Sequence, residues 1–424
     1  MNSNFKRYII FWLSQALSQL GSSMTTFALI LWTYTQKGTA MTVSLMTFFN
    51  YLPYIILSLF VGTFVDNHSK KKIMLVSDSI AAICSLAIFC LNSGNALQIW
   101  HIYLVNMIIG FMGAFQDPAS DVALGKVVPK EKLEQISGMN SFSDNLVAVL
   151  SPVFAAFLFA FGGLKLILII DLSSFLFAFL ILLFVLRIPD DIPQKAEKKS
   201  VFIGCKEGLQ YLKQHNGIFL VIITMAVLNF FSRLTYENIL SPMILSRSAN
   251  DSVTLGIVNA VMGIGGIIGG IIVSSGKIKA NSAKMIYLSA MLSFLLGDIM
   301  MGLGRNGIAW SLAGLAASLP IPFINAGQMV ILYRNVPEDM KGRIFAVRNA
   351  VQFSSIPLGI LLGGLLADYV FEPFMLTQNP ITQVLHKLVG EGAGSGMAVM
   401  FLCTGILGSL FSFAFYQRKD IRNL

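Results

Sequence analysis

Apolar residues in this chain come in long blocks separated by short polar and basic segments. The blocks fall at approximately 8–34, 42–65, 73–92, 99–124, 140–161 and 165–186, then at 217–242, 253–275, 283–303, 307–333, 344–369 and 395–416. A helix needs about 20 apolar residues to cross the hydrocarbon core of a bilayer, and nearly the whole chain divides into runs of that kind. The pattern predicts an all-α polytopic membrane protein of 12 transmembrane helices, arranged as two six-helix pseudo-symmetric bundles. The bundles are expected over 1–186 and 217–424, joined by a cytoplasmic linker over 187–216.

Within the linker, Phe202, Cys205, Leu209 and Leu212 recur at helical spacing among Lys199, Lys206, Glu207 and Lys213. This predicts an amphipathic helix on the inner leaflet or on the protein's cytoplasmic face. The segment around 370–395, with Pro373, Pro380 and a glycine-rich run, reads as a mobile external loop. In the first block, Gln15, Ser18, Gln19, Ser22 and Thr26 fall on one helical face. Polar side chains seldom face lipid, so the stripe is expected to line a cavity or meet another helix. Asn229, Asn325 and Gln328 are candidates for the same space, with apolar contact from Phe48, Phe49, Tyr51 and Phe231.

Charge sets the orientation. Only 12% of residues are charged and the mean hydropathy is +0.73, whereas soluble domains carry roughly 25% charged residues. The net charge of +9 does not indicate nucleic acid, because the basic residues cluster between apolar runs. With a cytoplasmic N-terminus, 24 of the 30 Lys and Arg residues fall in inside segments. Basic side chains resist translocation, so both termini are expected in the cytoplasm of a bacterial inner or plasma membrane. The run that follows Lys6 and Arg7 is too long for a signal peptide. The cysteines, at 84, 90, 205 and 403, lack metal or disulfide spacing.

Several short motifs carry a resemblance. Gly62-Thr-Phe-Val-Asp66 is followed by Lys70, Lys71 and Lys72, a small residue, a carboxylate and a basic cluster after the second run. The spacing resembles the loop signature of the major facilitator superfamily, although Asn67 and Ser69 replace the usual Arg and Gly. In that family the loop helps to gate one access state. Ser151-Pro152, followed by Ala155 and Ala156, is similar to the helix-five motif of the antiporter branch, with Ser in place of Gly. Phe115-Gln-Asp-Pro118, Lys206-Glu207-Gly208-Leu209 and Gly342-Arg343-Ile-Phe345 look like macrolide-efflux and siderophore-exporter relatives. An internal repeat between 126–131 and 334–339 agrees with two halves.

Ionisable groups inside a membrane are functional suspects. Asp117, Asp121, Asp144, Arg233, Glu237 and Asp298 are the candidates for coupling transport to an ion. Each also has a structural explanation: snorkelling, an i,i+4 pair for Arg233 and Glu237, or a carboxylate at a helix N-terminus. The basic residue that the family usually carries in helix four is absent, with Asn106 and Ile109 in that neighbourhood.

Neither H-E-x-x-H nor a P-loop is present, so no enzyme, metal site or cofactor is indicated. The expectation is a monomeric secondary exporter of amphipathic small molecules, such as macrolide-like drugs. It would work by alternating access and exchange substrate for protons. An importer or facilitator of the same fold, or a membrane sensor or lipid-handling protein, remains open. The cavity is expected to offer amides, hydroxyls and aromatics with little charge at the midplane.

Overall fold

In lipid, backbone N–H and C=O groups must be satisfied within the chain, and a helix does this locally. The computed structural model describes residues 3–66, 68–127, 133–184, 201–275 and 281–422. Among these, helices carry nearly all of the chain. Ten helical segments are long and apolar enough to cross a membrane. One of them, Phe142–Phe184, is 43 residues long; it lies in α5 (Leu133–Phe184), which breaks at Gly163, where φ is +59°. That left-handed geometry costs glycine little, and it divides α5 into two crossings at the gap expected between the fifth and sixth runs. The first helix, α1 (Ser3–Lys37), is not among the ten. Its polar stripe lowers its hydropathy.

The chain divides into two compact units. Unit 1 is Met1–Lys37 with Leu45–Glu197, and unit 2 is Gly38–Ser44 with Lys198–Leu424. Unit 1 holds α1, most of α2 (Ala40–Asp66), α3 (Lys70–Ser93), α4 (Ile99–Val127) and α5. Without a hydrophobic drive between helices in lipid, close approach and interhelical hydrogen bonds hold such a bundle together. Gly21 shows the first device: a Cβ there would lie 2.5 Å from Ser174 Oγ and 3.1 Å from Asp171 Cα. Asp171 shows the second. It is 3% exposed, and it accepts bonds from Ser22 Oγ, Thr25 Oγ1 and Ser85 Oγ, each at 3.0 Å. One carboxylate thereby ties α1 and α3 to the second segment of α5.

Unit 2 begins after the linker with α6 (Val201–Gln214) and α7 (Asn216–Thr235). Residues 187–200 of the linker, and the 126–131 half of the repeat beyond Val127, lie outside the described residues. Of the two surfaces offered to the amphipathic linker helix, it takes the protein. Leu212 is fully buried in a cluster with Ile218, Leu332 and Val347, and Glu207 pairs with Arg343 at 2.8 Å. Short α8 (Leu240–Arg247) leads to α9 (Ser252–Ser274), whose Gly265 and Gly269 approach Leu315 and Leu319. Next come α10 (Ser282–Leu292), a π-helical turn over Ser293–Asp298 and α11 (Ile299–Leu303). The bundle continues with α12 (Gly307–Ser318), α13 (Ile321–Asn335) and α14 (Glu338–Leu366). The carboxylate of Asp368, just after α14, accepts from the backbone N–H groups of Ala40 at 3.0 Å and Met41 at 2.7 Å.

The segment expected to be a mobile loop is structured. It forms α15 (Glu372–Met375) and α16 (Pro380–Val389) before α17 (Ser395–Tyr416) and a terminal turn, α18 (Lys419–Arg422). Asn379 and Thr382 make a reciprocal capping box around Pro380. Arg305 donates to the carbonyl of Lys387 at 2.7 Å, and Arg247 donates to that of Val389. Caps at both ends replace the mobility that the prolines and glycines suggested.

Candidate functional site

The polar stripe on α1 opens onto a cavity of about 780 Å³ whose lining residues all belong to unit 1. Gln15, Ser18, Gln19 and Ser22 form one wall. Thr26, the fifth member, is exposed outside the lining and donates to the Ser22 carbonyl. From α3 come Ser77 and Asp78, from α4 Gln116, Asp117 and Ser120, and from α5 Asn140, Ser143 and Asp144.

The cavity is acidic, and Asp78 adds a carboxylate to the expected Asp117 and Asp144. Gln116 Nε2 donates to Asp78 Oδ1. Tyr54 donates to Asp117 Oδ2 at 2.9 Å, and Gln19 Nε2 donates to Asp144 Oδ1 at 3.0 Å. Neutral amides and a phenol thus hold the three carboxylates in place. No Lys, Arg or His is among the described residues lining the space, and Ile109 occupies the wall where a basic residue was sought. The apolar contribution is also relocated. Phe11, Trp12 and Tyr54 line the cavity, whereas Phe48, Phe49 and Tyr51 do not. Phe231 packs against the unit 2 core with Phe294 and Phe411.

Three donors around this space have no hydrogen-bond partner: Trp12 Nε1, Gln15 Nε2 and Ser77 Oγ. Ser77 is 1% exposed. Beside the cavity, sharing Ser77 and Met112, lies an apolar cleft of about 400 Å³ walled by Phe64, Phe111 and Phe115.

The remaining candidates disperse. Asp66 ends α2, and the α3 N-terminus holds Lys70, which is 3% exposed, and Lys71, which donates to the Leu183 carbonyl at 3.0 Å. Lys72 is exposed and lines the apolar cleft. Gly62 lies in α2, and its surroundings and the side chains of Asp66 and Asp121 lie outside what the structure describes. Ser151 and Pro152 are buried in α5 beside fully buried Ala155 and Ala156, away from the cavity. In unit 2, Arg233 and Glu237 form an i,i+4 ion pair, and Asn229, Asn325 and Gln328 lie outside the unit 1 cavity.

Asp298 sits in the π-helical turn and is 1% exposed. Its Oδ2 accepts from Thr404 Oγ1 at 2.7 Å, and the neighbouring Tyr236 hydroxyl faces the carboxylate without reaching full hydrogen-bond geometry to Oδ1. Single turns of π-helix inside α-helices are frequent at functional sites. Asp78 and Asp171 escaped the sequence reading, although the rule that flagged Asp298, an ionisable group inside an apolar run, applies equally to them.

The chain aligns over 375 residues with macrolide efflux protein A of Streptococcus pyogenes at 27% identity, covering 87% of this chain and 91% of that protein. An enterobactin exporter of Escherichia coli O81 is 25% identical over 320 residues, 72% of each chain. Among solved structures, a bacterial homologue of the human lysosomal transporter Spinster, inward-facing and unoccupied, superposes with a TM-score of 0.71 at 13% identity. That match covers 98% of both chains and speaks for the fold. The model of the Major Facilitator Superfamily matches residues 11–360; this multi-pass membrane protein belongs to that superfamily of transporters and is not an enzyme.

Proposed function

We propose that the protein is a secondary active exporter of amphipathic small molecules, driven by proton antiport, with both termini in the cytoplasm. The observation that carries this reading is the large polar cavity beneath the α1 stripe, with an apolar cleft against it. A ligand with one polar and one apolar face matches that pairing. The likeness to a macrolide efflux protein supports a drug-sized substrate and the outward direction. The transport cycle exposes the cavity alternately to the two sides of the membrane. Of the candidate coupling groups Asp298, in unit 2, is the best placed, because it is buried with one oxygen lacking a close hydrogen bond.

Proteoliposomes with an imposed pH gradient, tested with a panel of labelled amphipathic compounds including a macrolide, provide the assay. Replacing Gln15 and Gln19 together by Leu removes two amides from the cavity wall. At about 1 kcal/mol per hydrogen bond, the pair is expected to lower transport by roughly tenfold or more at unchanged protein level. Undiminished transport by a well-folded double variant would remove the cavity from the pathway.

A further inference from the structure

We infer that the unit 1 cavity selects organic cations, with Asp78 and Asp144 supplying the charge recognition. The inference rests on the transporter reading and deepens it to a substrate class. Asp78 is half-buried and Asp144 is exposed to the cavity, and a carboxylate inside a membrane-spanning segment is costly unless a charge or several donors compensate it. At Asp78 the hydrogen-bond partner is the amide of Gln116, and at Asp144 it is the amide of Gln19. Both partners are neutral. Asp117, bonded to Tyr54, adds a third acidic group. Among the described lining residues none is cationic, so the positive charge must come with the ligand.

A second observation, independent of the acids, places a ligand here. Ser77 is 1% exposed, lines the cavity and has no hydrogen-bond partner. Trp12 Nε1 and Gln15 Nε2, on the same lining, are likewise unpartnered. Leaving a buried donor unmet is expensive, and all three can be met by oxygen acceptors on a bound molecule. The nearby basic groups, His68 and Lys72, border the apolar cleft rather than the acidic cavity. The recognised molecule is therefore an amphipathic amine or other organic cation: its charge lies toward Asp78 and Asp144 and its apolar body toward Phe64, Phe111 and Phe115. A polyanion would meet repulsion from three carboxylates.

Purified protein in nanodiscs, titrated with radiolabelled tetraphenylphosphonium, tests the charge rule. Triphenylphosphine oxide serves as a neutral comparator with similar aromatic bulk. Saturable binding of the cation, at least about tenfold tighter than that of the neutral compound, is expected. Asp78→Asn and Asp144→Asn should each weaken cation binding by about tenfold and change binding of the neutral compound by less than about twofold. Asp78→Glu, which keeps the charge, should recover most of the affinity and covers the case in which Asp78→Asn fails to fold. Equal binding of the two compounds, or cation binding indifferent to both Asn variants, would overturn the inference. Proteoliposome transport of a neutral amphipathic compound without cation binding would sink cation selection and leave the exporter reading intact. Cation binding without gradient-driven transport of any compound would do the reverse.

Discussion

Each unit buries an aspartate inside a candidate membrane span, and the two are built differently. Asp171 in unit 1 is 3% exposed and surrounded by three hydroxyl donors, all at 3.0 Å. Asp298 in unit 2 is 1% exposed and accepts one close bond, from Thr404, with the Tyr236 hydroxyl near the carboxylate but outside hydrogen-bond geometry to its other oxygen. A carboxylate that accepts three bonds from two other helices is a fastener, because changing it disturbs every helix it ties. A carboxylate with a spare oxygen, on a π-helical turn, can gain or lose a bond without dismantling its surroundings. The number of donors, rather than burial alone, separates a structural acid from one suited to proton exchange.

The largest expected effect tests the fastener. Asp171→Ala leaves the hydroxyls of Ser22, Thr25 and Ser85 without their acceptor. At about 1 kcal/mol for each disrupted bond, the loss is about 3 kcal/mol, visible as a lowered midpoint in thermal unfolding of detergent-solubilised protein. A midpoint within a degree or two of wild type would show that the three bonds do not hold α1 and α3 to α5.

Next in size is the functional loss at Asp298. Asp298→Asn keeps an acceptor for Thr404 but removes the exchangeable proton. In proteoliposomes it is expected to reduce substrate accumulation driven by a pH gradient by at least about tenfold, while substrate–substrate exchange continues. Gradient-driven transport at the wild-type level would transfer the coupling role elsewhere, with the cavity carboxylates Asp78, Asp117 and Asp144 next in line.

The same contrast explains what was legible in the sequence. The two sets of spans follow from the length of apolar runs, and the α1 wall of the cavity follows from polar residues repeated on one helical face. Those signals are local and periodic. Asp78 is a single carboxylate in an apolar helix, flanked by Ser77 and Ser79. Its role depends on Gln116, distant in sequence, which donates to it. Asp171 likewise gains its meaning from partners 86 to 149 residues away. No window of sequence contains those pairs. The structured segment after α14 had a readable signal that its prolines and glycines obscured: Asn379 before Pro380, with Thr382 following, is a helix start.

The smallest effect sharpens the comparison most, because it removes one hydroxyl from each site. Ser85→Ala takes away one of three donors to Asp171, and Thr404→Val takes away the close donor to Asp298. If donor number is what matters, the first change leaves a carboxylate still held by Ser22 and Thr25 and costs about 0.5–1 kcal/mol. The second leaves a buried acid without that hydroxyl and costs about 1–3 kcal/mol. Thr404→Val should therefore lower the unfolding midpoint more than Ser85→Ala. It should also shift the pH dependence of transport, which Ser85→Ala should leave in place. Equal destabilisation with unshifted pH profiles would mean that the two acids are equivalent fasteners, and the distinction drawn between them would fail.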